Sequence, residues 1–384
     1  MVNRWTVLTW LFAGRIIYTI NWVAISPALP LIARDLNLQL TDLGLIGTSF
    51  LIGIGLFQIP SGVLAAKMGA RRVSLAGLGL SSLFSALSAV APSFELLLAT
   101  RFAAGAFMAL FFGPGISLFS PLFGQRERGL ALGIYNMGFH VGSLMALGAW
   151  SQVIDSVGWR TAVLIPGLLG VAITAPTAFT TRGLGEARDE GPYLPKVRFI
   201  LGDRDIWLLA IALTISGGTW YAVTQFGVLY LTSESDLTIG AAGLLVALMS
   251  LGSVLGSPLS GKLYDISKSK VHLLMAVDLG LALGLGALVV RHVIIFGASM
   301  FLLGLLYTSS FTIAYLLPMQ YRHIDGRYTA LAIGMINGVQ LLGGAVFPPL
   351  FAVMVHLMGY TFSWGVMGLM ALAALPFIYR IREP

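Results

Sequence analysis

Arg15 is the leading candidate for binding a charged ligand, because it interrupts an otherwise apolar stretch, LTWLFAGRIIYTINW (residues 8–22). Residues three, four and seven positions further along a helix share its face, which places Tyr18, Thr19 and Trp22 beside it. A guanidinium offers a planar set of N–H donors that matches the geometry of a carboxylate. This stripe of a cation, hydroxyl groups and an aromatic ring predicts a binding site for an anionic group.

The composition indicates a membrane protein. Of the 384 residues, 57% are hydrophobic and 10% charged, whereas a typical soluble chain has about 25% charged residues. The net charge of +7 comes from basic residues scattered between apolar runs, which argues against a nucleic-acid-binding surface. The absence of cysteine excludes disulfides and thiolate metal sites. We expect no cofactor, no metal and no enzymatic activity; the predicted partners are the lipid bilayer and a small solute, and the protein is expected to be a monomer.

Polar and turn-forming interruptions divide the chain into twelve apolar spans, each long enough to cross a hydrocarbon layer of about 30 Å. The first span is too long for the core of a signal peptide and is interpreted as retained. Numbered 1 to 12 in chain order, the predicted spans cover residues 6–33, 42–66, 73–91, 94–122, 129–154, 159–181, 205–232, 239–261, 271–290, 293–319, 328–355 and 361–379.

The placement of basic residues predicts the orientation. With alternate loops assigned to opposite sides, one side collects eighteen Lys and Arg residues, whereas the other has three, Arg34, Arg160 and Arg291. Short cytoplasmic loops carry the excess of Lys and Arg, so both termini are predicted to be cytoplasmic, in an integral protein of the cell membrane. Arg15 and Arg101 are the two basic residues that this assignment leaves within spans.

The two halves of the chain are related in sequence. A shift of 199 residues pairs Gly53 with Gly252 and Gly105 with Gly304, and a further slip of two residues pairs Gly158 with Gly359. A polar segment rich in Gly, Pro and mixed charge separates the halves and resembles a linker. The sequence therefore predicts two parallel six-helix repeats, residues 1–181 and 205–384, joined by a cytoplasmic linker over 182–204.

The loop after span 2, GVLAAKMGARR (residues 62–72), resembles the signature of the major facilitator superfamily. Gly62, Lys67 and Arg71 fit that pattern, but Ala66 stands where the family usually has aspartate. The second half keeps the acid as Asp265 in GKLYDISKSK (residues 261–270). The resemblance implies an all-α membrane fold of twelve transmembrane helices in two pseudo-symmetric six-helix bundles. It further implies secondary transport by alternating access, with this loop acting as a latch between the bundles.

In the family that the chain resembles, spans 1, 4, 7 and 10 line the central cavity, with further access from spans 5 and 11. The resemblance implies substrate-binding roles for residues of spans 7, 10 and 11. The alternative for Asn337 and Gln340 is a helix-to-helix hydrogen bond of about 1 kcal/mol. The candidates are Trp220, Tyr221, Gln225, Tyr307, Tyr315, Asn337 and Gln340.

The few ionisable residues within spans suggest the charge of the solute and the coupling mechanism. Arg101, in LLATRFAAG, resembles a family motif in span 4; the alternative is that it snorkels outward or pairs with Glu95. Asp278 is the one clear acid within a span. It and His140 are the candidate proton carriers, although facilitated diffusion or anion exchange would need neither. The alternative for Asp278 is a structural pairing or a place near the inner interface, because the ninth helix is a peripheral support in the family that the chain resembles.

The predicted function is the movement of a small, carboxylate-type organic anion by secondary active or facilitative transport, because Arg15 has no sequence-neighbouring acid. The alternative is a drug or neutral, sugar-like solute transporter coupled to protons. A more remote alternative is a membrane receptor that has lost transport.

Overall fold

The computed structural model describes residues 3–185, 199–290, 292–321 and 326–383, and the helical backbone of these ranges follows the predicted spans. Most of the predicted linker, residues 186–198, lies outside the described residues. In the first half the helices are Arg4–Val23 and Ile25–Asp35 (span 1), Leu40–Met68, Ala70–Ala89, Phe94–Phe119, then Gln125–Leu144 with Trp150–Val157 (span 5), and Trp159–Thr180. In the second half they are Arg204–Glu234, Ile239–Ile266, Lys270–Ala287, Val293–Gln320, Gly326–Gly344, Phe347–Leu372 and Leu375–Tyr379.

Eleven stretches of the described chain are long and apolar enough to cross a membrane, and the last of them, Ala332–Tyr379, has 48 residues. As one helix it would extend about 72 Å, more than twice the hydrocarbon thickness. Gly359 interrupts it with φ 77° and ψ 168°, a backbone conformation that favours glycine. Gly158 separates spans 5 and 6 with φ 78° and ψ 163°. The stretch therefore supplies spans 11 and 12, and the predicted twelve-helix fold is confirmed.

Close helix packing repeats between the halves with the offset found in the sequence. A Cβ placed on Gly53 would collide with the carbonyl oxygen of Phe102, and one placed on Gly252 would collide with that of Phe301. Gly105 lies in the same way against Phe50. The contact of Gly252 with Phe301 is the contact of Gly53 with Phe102 shifted by 199 residues. The glycines therefore let spans 2 and 4, and likewise spans 8 and 10, approach at the backbone.

The two bundles meet at one end, which we call the closed end. There Ser26 of span 1 donates a hydrogen bond to the carbonyl of Gln225 in span 7 (2.9 Å). Thr48 of span 2 donates to the carbonyl of Ala345 after span 11 (2.7 Å). Gly240 at the start of span 8 donates its N–H to Asp155 at the end of span 5 (3.4 Å). Three pairs of spans therefore seal this end.

The other end, called the open end, is where spans 2 and 8 finish. A Cβ placed on Gly62 or Gly261 would meet no atom within 4 Å, and the same holds for Gly133 and Gly334 of spans 5 and 11. Lys67 and Asp265 are both exposed. The loops that resemble the latch are therefore apart from the opposite bundle in this conformation.

Two matched substitutions in span 4 test the packing at Gly105. Gly105→Leu should lower the melting temperature of the purified protein by about 5 °C or more, because the side chain must displace backbone of span 2. Gly113→Leu is the control, since a Cβ there meets nothing within 4 Å. Equal melting temperatures for the two variants, measured by thermal unfolding in detergent, would contradict the packing.

Candidate functional site

Arg15 is enclosed by aromatic rings. Its guanidinium carbon lies 4.3 Å from the ring centre of Tyr18, 4.3 Å from that of Phe112 and 5.2 Å from that of Phe139. The side chain is 7% exposed. Cations are attracted to the faces of aromatic rings at these distances. The rings therefore offset part of the cost of removing the charge from water without occupying its N–H donors.

Gly138 makes room for this arrangement, because Arg15 Cβ and Cγ lie 3.0 Å from the position that a Cβ on Gly138 would take. The stem of Arg15 thus passes directly over the backbone of span 5. Two of its guanidinium nitrogens, Nε and Nη1, are buried without a hydrogen-bond partner among the described residues. A buried donor without a partner is costly, so an acceptor group is expected to complete this site.

That acceptor is not a carboxylate of the described residues. The ion pairs found there are Arg4 with Glu127 (2.6 Å) and Arg160 with Asp35 (2.9 Å), all partly exposed and away from the middle of the spans. No acid of the described residues comes within 4 Å of the Arg15 guanidinium. The cation is therefore compensated by rings rather than by an acid that the fold brings close.

Arg101 is fully buried, and its contacts differ from those of Arg15. It donates from Nη1 to the carbonyl of Asn21 (2.9 Å) and from Nη2 to the carbonyl of Trp22 (3.2 Å). Both carbonyls immediately precede the break in span 1 at Ala24. Pro27, just beyond, has no N–H to donate to the next carbonyl, that of Val23. Arg101 thus neither snorkels outward nor pairs with Glu95, and it fixes the turn that carries Trp22.

Four rings from the two bundles meet at the level of Trp22, and we call them the aromatic seam: Trp22, Phe139, Trp220 and Tyr221. The ring centre of Trp22 lies 6.4 Å from that of Trp220 and 6.2 Å from that of Tyr221. Phe139 lies 6.2 Å from Trp220. Gln340 of span 11 donates a hydrogen bond to the Tyr221 hydroxyl (2.6 Å). The structure thus brings together predicted residues from spans 1, 7 and 11.

A small cavity of about 30 Å³ lies beside the seam, lined by Trp22, Arg101, Trp220, Tyr221 and Gln225 among others. It is large enough for a water molecule or two but not for an organic solute. Arg15 precedes Trp22 by seven residues, a rise of about 10 Å along span 1 toward the open end, and its guanidinium contacts the seam at Phe139 (5.2 Å). A solute that enters from the open end would therefore reach Arg15 before the seam.

Other predicted residues are placed in different contacts. Thr19 is fully buried and donates to the carbonyl of Arg15 (3.0 Å), and Gln225 donates to the carbonyl of Leu43 (2.6 Å) at the closed end. Tyr307 is buried against Thr219, with 2.8 Å between their hydroxyl oxygens. Tyr315 donates to Asn337 (3.2 Å). The contacts of Gln225, Tyr307 and Tyr315 join different helices, whereas that of Thr19 lies within span 1. The binding roles of these residues stay predictions.

The candidate coupling and latch residues are also separated. His140 is partly buried beside Phe139, with ring centres 5.7 Å apart. Asp278 is 2% exposed and faces Ser216 and Ser310 within the second bundle. Arg71 donates to the carbonyl of Ala178 (2.7 Å) in the first bundle. The roles of these residues in coupling and gating stay predictions.

The sequence did not predict the aromatic rings of Phe112 and Phe139 beside Arg15. Phe112 follows Arg101 by eleven residues, three helical turns, and so shares its face. Phe139 adjoins His140. Such spacing could have marked both rings as inward-facing. Their approach to Arg15 depends on how spans 1, 4 and 5 pack, which spacing within one helix does not give.

Two helical bundles that meet at one end and are apart at the other form this fold, and the buried Arg15 and Arg101 both lie in the first bundle. The family model of the major facilitator superfamily matches residues 11–331, and the chain belongs to this superfamily. It is an integral membrane protein.

Two curated relatives and one solved structure illustrate the similarity. The chain is 25% identical over 295 residues to the "Probable hexose phosphate transport protein" of Chlamydia trachomatis, covering 68% of this chain and 64% of that relative. It is 25% identical over 391 residues to the "Probable sulfoacetate transporter SauU" of Cupriavidus necator, covering 93% and 89%. A bacterial homolog of the human lysosomal transporter Spinster, inward-facing and occupied, superposes with TM-score 0.79 at 16% identity over 99% of this chain and 97% of that one.

Cysteine labelling can test which end is open, because the natural chain has no cysteine and each introduced thiol gives a single signal. Asn136→Cys, at an exposed position of span 5, should react rapidly with a polar maleimide. Ser26→Cys, 2% exposed between the bundles, should react at least tenfold more slowly. The measurement is the labelling rate of the purified protein. Equal rates would contradict a seal at Ser26.

Proposed function

We propose that this transporter moves a small organic anion across the membrane by alternating access, and that Arg15 binds the anionic group. The observation that carries the proposal is a buried guanidinium with two unpartnered nitrogens and no carboxylate within reach among the described residues. The rings of Tyr18 and Phe112 lie near the guanidinium. An incoming carboxylate, sulfonate or phosphate oxygen would supply the missing acceptors.

The named substrates of the relatives agree in charge with this proposal. Hexose phosphate and sulfoacetate both carry anionic groups, and each is the solute in the name of a relative that is 25% identical to this chain. The chain spans only 64% of the length of the hexose phosphate relative. The shared property is negative charge on a small organic molecule, which is the property that Arg15 would recognise.

The two ends of the fold support the proposal of alternating access. The closed end is sealed by hydrogen bonds between the bundles, whereas Gly62 and Gly261 at the open end have no close neighbour. The excess of Lys and Arg at the open end suggests that it faces the cytoplasm, with both termini on that side. In the opposite conformation the bundles would close around Lys67 and Asp265 and part at Ser26. The aromatic seam would separate the solute from the closed end in the present state.

The substitutions Arg15→Ala and Arg15→Lys test the role of Arg15. Loss of a charge-assisted hydrogen-bonded pair of about 1.5–3 kcal/mol predicts that Arg15→Ala weakens binding about tenfold to a hundredfold. Arg15→Lys keeps the charge but loses the planar fork, so an intermediate loss is expected. Binding is measured by ligand-induced thermal shift and transport by counterflow in proteoliposomes. The probes are sulfoacetate, glucose 6-phosphate and simple mono- and dicarboxylates.

Arg4→Ala is the matched control, because Arg4 lies on span 1 but is partly exposed and paired with Glu127. It should leave the affinity for the anion unchanged. Unchanged affinity in both Arg15 variants would contradict the proposal. Binding of glucose or of a lipophilic cation in preference to every anion would favour the alternative of neutral-solute or drug transport. Anion binding without counterflow would instead favour a receptor.

A further inference from the structure

Asp278 is a buried acid without a cationic partner. It lies on span 9, is 2% exposed, and is held by hydroxyl groups of the two neighbouring spans. Ser310 of span 10 donates to Oδ2 (2.9 Å), and Ser216 of span 7 is hydrogen-bonded to Oδ1. Neither ion pair found among the described residues involves it. A bare carboxylate at such a site would be costly, because a buried charge requires a partner.

The hydrogen bonds of Ser216 are compatible with a protonated Asp278. Its Oγ lies within hydrogen-bond distance of two acceptors, Asp278 Oδ1 and the carbonyl of Ala212 (3.2 Å). With an ionised Asp278, Ser216 donates to the carboxylate and shares its one hydrogen with the carbonyl of Ala212. With a neutral Asp278, the carboxyl donates to Ser216, Ser216 donates to Ala212 and Ser310 donates to Asp278, so that each acceptor has a donor of its own and no charge is buried.

No other charged group of the described residues faces this acid. Tyr307 of span 10 is the neighbouring titratable side chain, and its hydroxyl is bound to Thr219, which donates to the carbonyl of Ser216 (2.7 Å). The part of span 12 that packs on span 9, residues 361–372, has no ionisable residue. The final helix, Leu375–Tyr379, contributes an exposed Tyr379. His272, on span 9 itself, is exposed and about 9 Å nearer its start.

Span 7 connects this acid to the aromatic seam within about one helical turn. Ser216 is followed by Gly217 and Gly218, and then by Thr219, Trp220 and Tyr221. Gly217 lies against Gln340, which in turn binds the Tyr221 hydroxyl. Two consecutive glycines make this turn easy to bend. Loss of the proton would turn the Ser216 hydroxyl toward the carboxylate, release the carbonyl of Ala212 and so disturb the turn that carries Trp220.

We propose that Asp278 is the binding site for a proton that is coupled to anion movement. The site holds its proton in the conformation described above. When the cycle releases it, the O–H bond of the carboxyl breaks, the proton passes to water, and the carboxylate accepts hydrogen bonds from Ser216 and Ser310. The coupling part of this inference rests on the proposed anion transport, whereas the protonation of Asp278 does not.

Infrared difference spectra between acidic and alkaline pH test protonation without any substrate. The purified wild-type protein should have a carbonyl stretch of a buried carboxylic acid. Asp278→Asn should lack this band, and Asp236→Asn, which alters an exposed loop acid whose positive φ of 51° asparagine tolerates, should keep it. Absence of the band from the wild-type protein would overturn the proposal, whether or not Asp278→Asn folds.

Proteoliposomes test coupling. Asparagine can donate to Ser216 and accept from Ser310 as the neutral acid does. Asp278→Asn should therefore keep anion counterflow. Its accumulation of the anion under an imposed pH gradient should fall at least tenfold, whereas Asp236→Asn should keep both activities. Unchanged pH-driven accumulation in Asp278→Asn, or accumulation driven by a sodium gradient and not by pH, would overturn the proposal. Absence of anion counterflow in the wild-type protein would overturn the proposal of anion transport. The infrared band would still decide whether Asp278 is protonated.

Discussion

The burial of two arginine charges without carboxylate partners is the constraint on which the first bundle depends. A cation in a membrane-spanning bundle must be compensated locally, and the structure does this in two ways. Arg101 donates to two backbone carbonyls that the break in span 1 leaves available. Arg15 rests among aromatic rings that attract a cation but accept no conventional N–H···O bond. Arg101 is therefore held by the fold through both terminal nitrogens and leaves only its Nε unpartnered. Arg15 leaves Nε and Nη1 unpartnered and donates to no backbone carbonyl of the described residues. This difference is why one is assigned to positioning and the other to binding.

The contacts between helices range from close backbone packing to single hydrogen bonds. Within each bundle, glycines such as Gly53 and Gly252 bring helix backbones together, so the bundles can move as units. Between the bundles, the seal at the closed end consists of a few hydrogen bonds, the contacts of the aromatic seam and close backbone approaches at Gly44 and Gly243. Single hydrogen bonds of this kind contribute about 1 kcal/mol each. The proposed alternating access would require all of these contacts to break and reform in each cycle.

The second bundle handles its buried charge differently. Asp278 is surrounded by hydroxyl groups instead of rings, and a carboxyl group can become neutral by binding a proton, which a guanidinium does not readily do. In the proposed mechanism the first bundle would bind the anion at Arg15, and the second bundle would bind the driving proton at Asp278. Span 7 joins the two functions because Ser216 contacts the acid and Trp220 contacts Trp22 across the interface.

The sequence by itself determined the twelve spans, the repeat and the membrane class, because long apolar runs and a constant offset are local or periodic signals. It also identified Arg15, Trp22, Trp220 and Tyr221, since unusual residues within a span are visible in one dimension. Only the tertiary structure decided which residues surround them. The cage of Phe112 and Phe139, the carbonyls beneath Arg101 and the pairing of Ser216 with Asp278 all join different helices, and helix rotation and crossing are set by packing across the whole bundle. For the same reason, the sequence could not give the partners of Gln225 and Tyr307, which are hydrogen-bonded to residues of other helices.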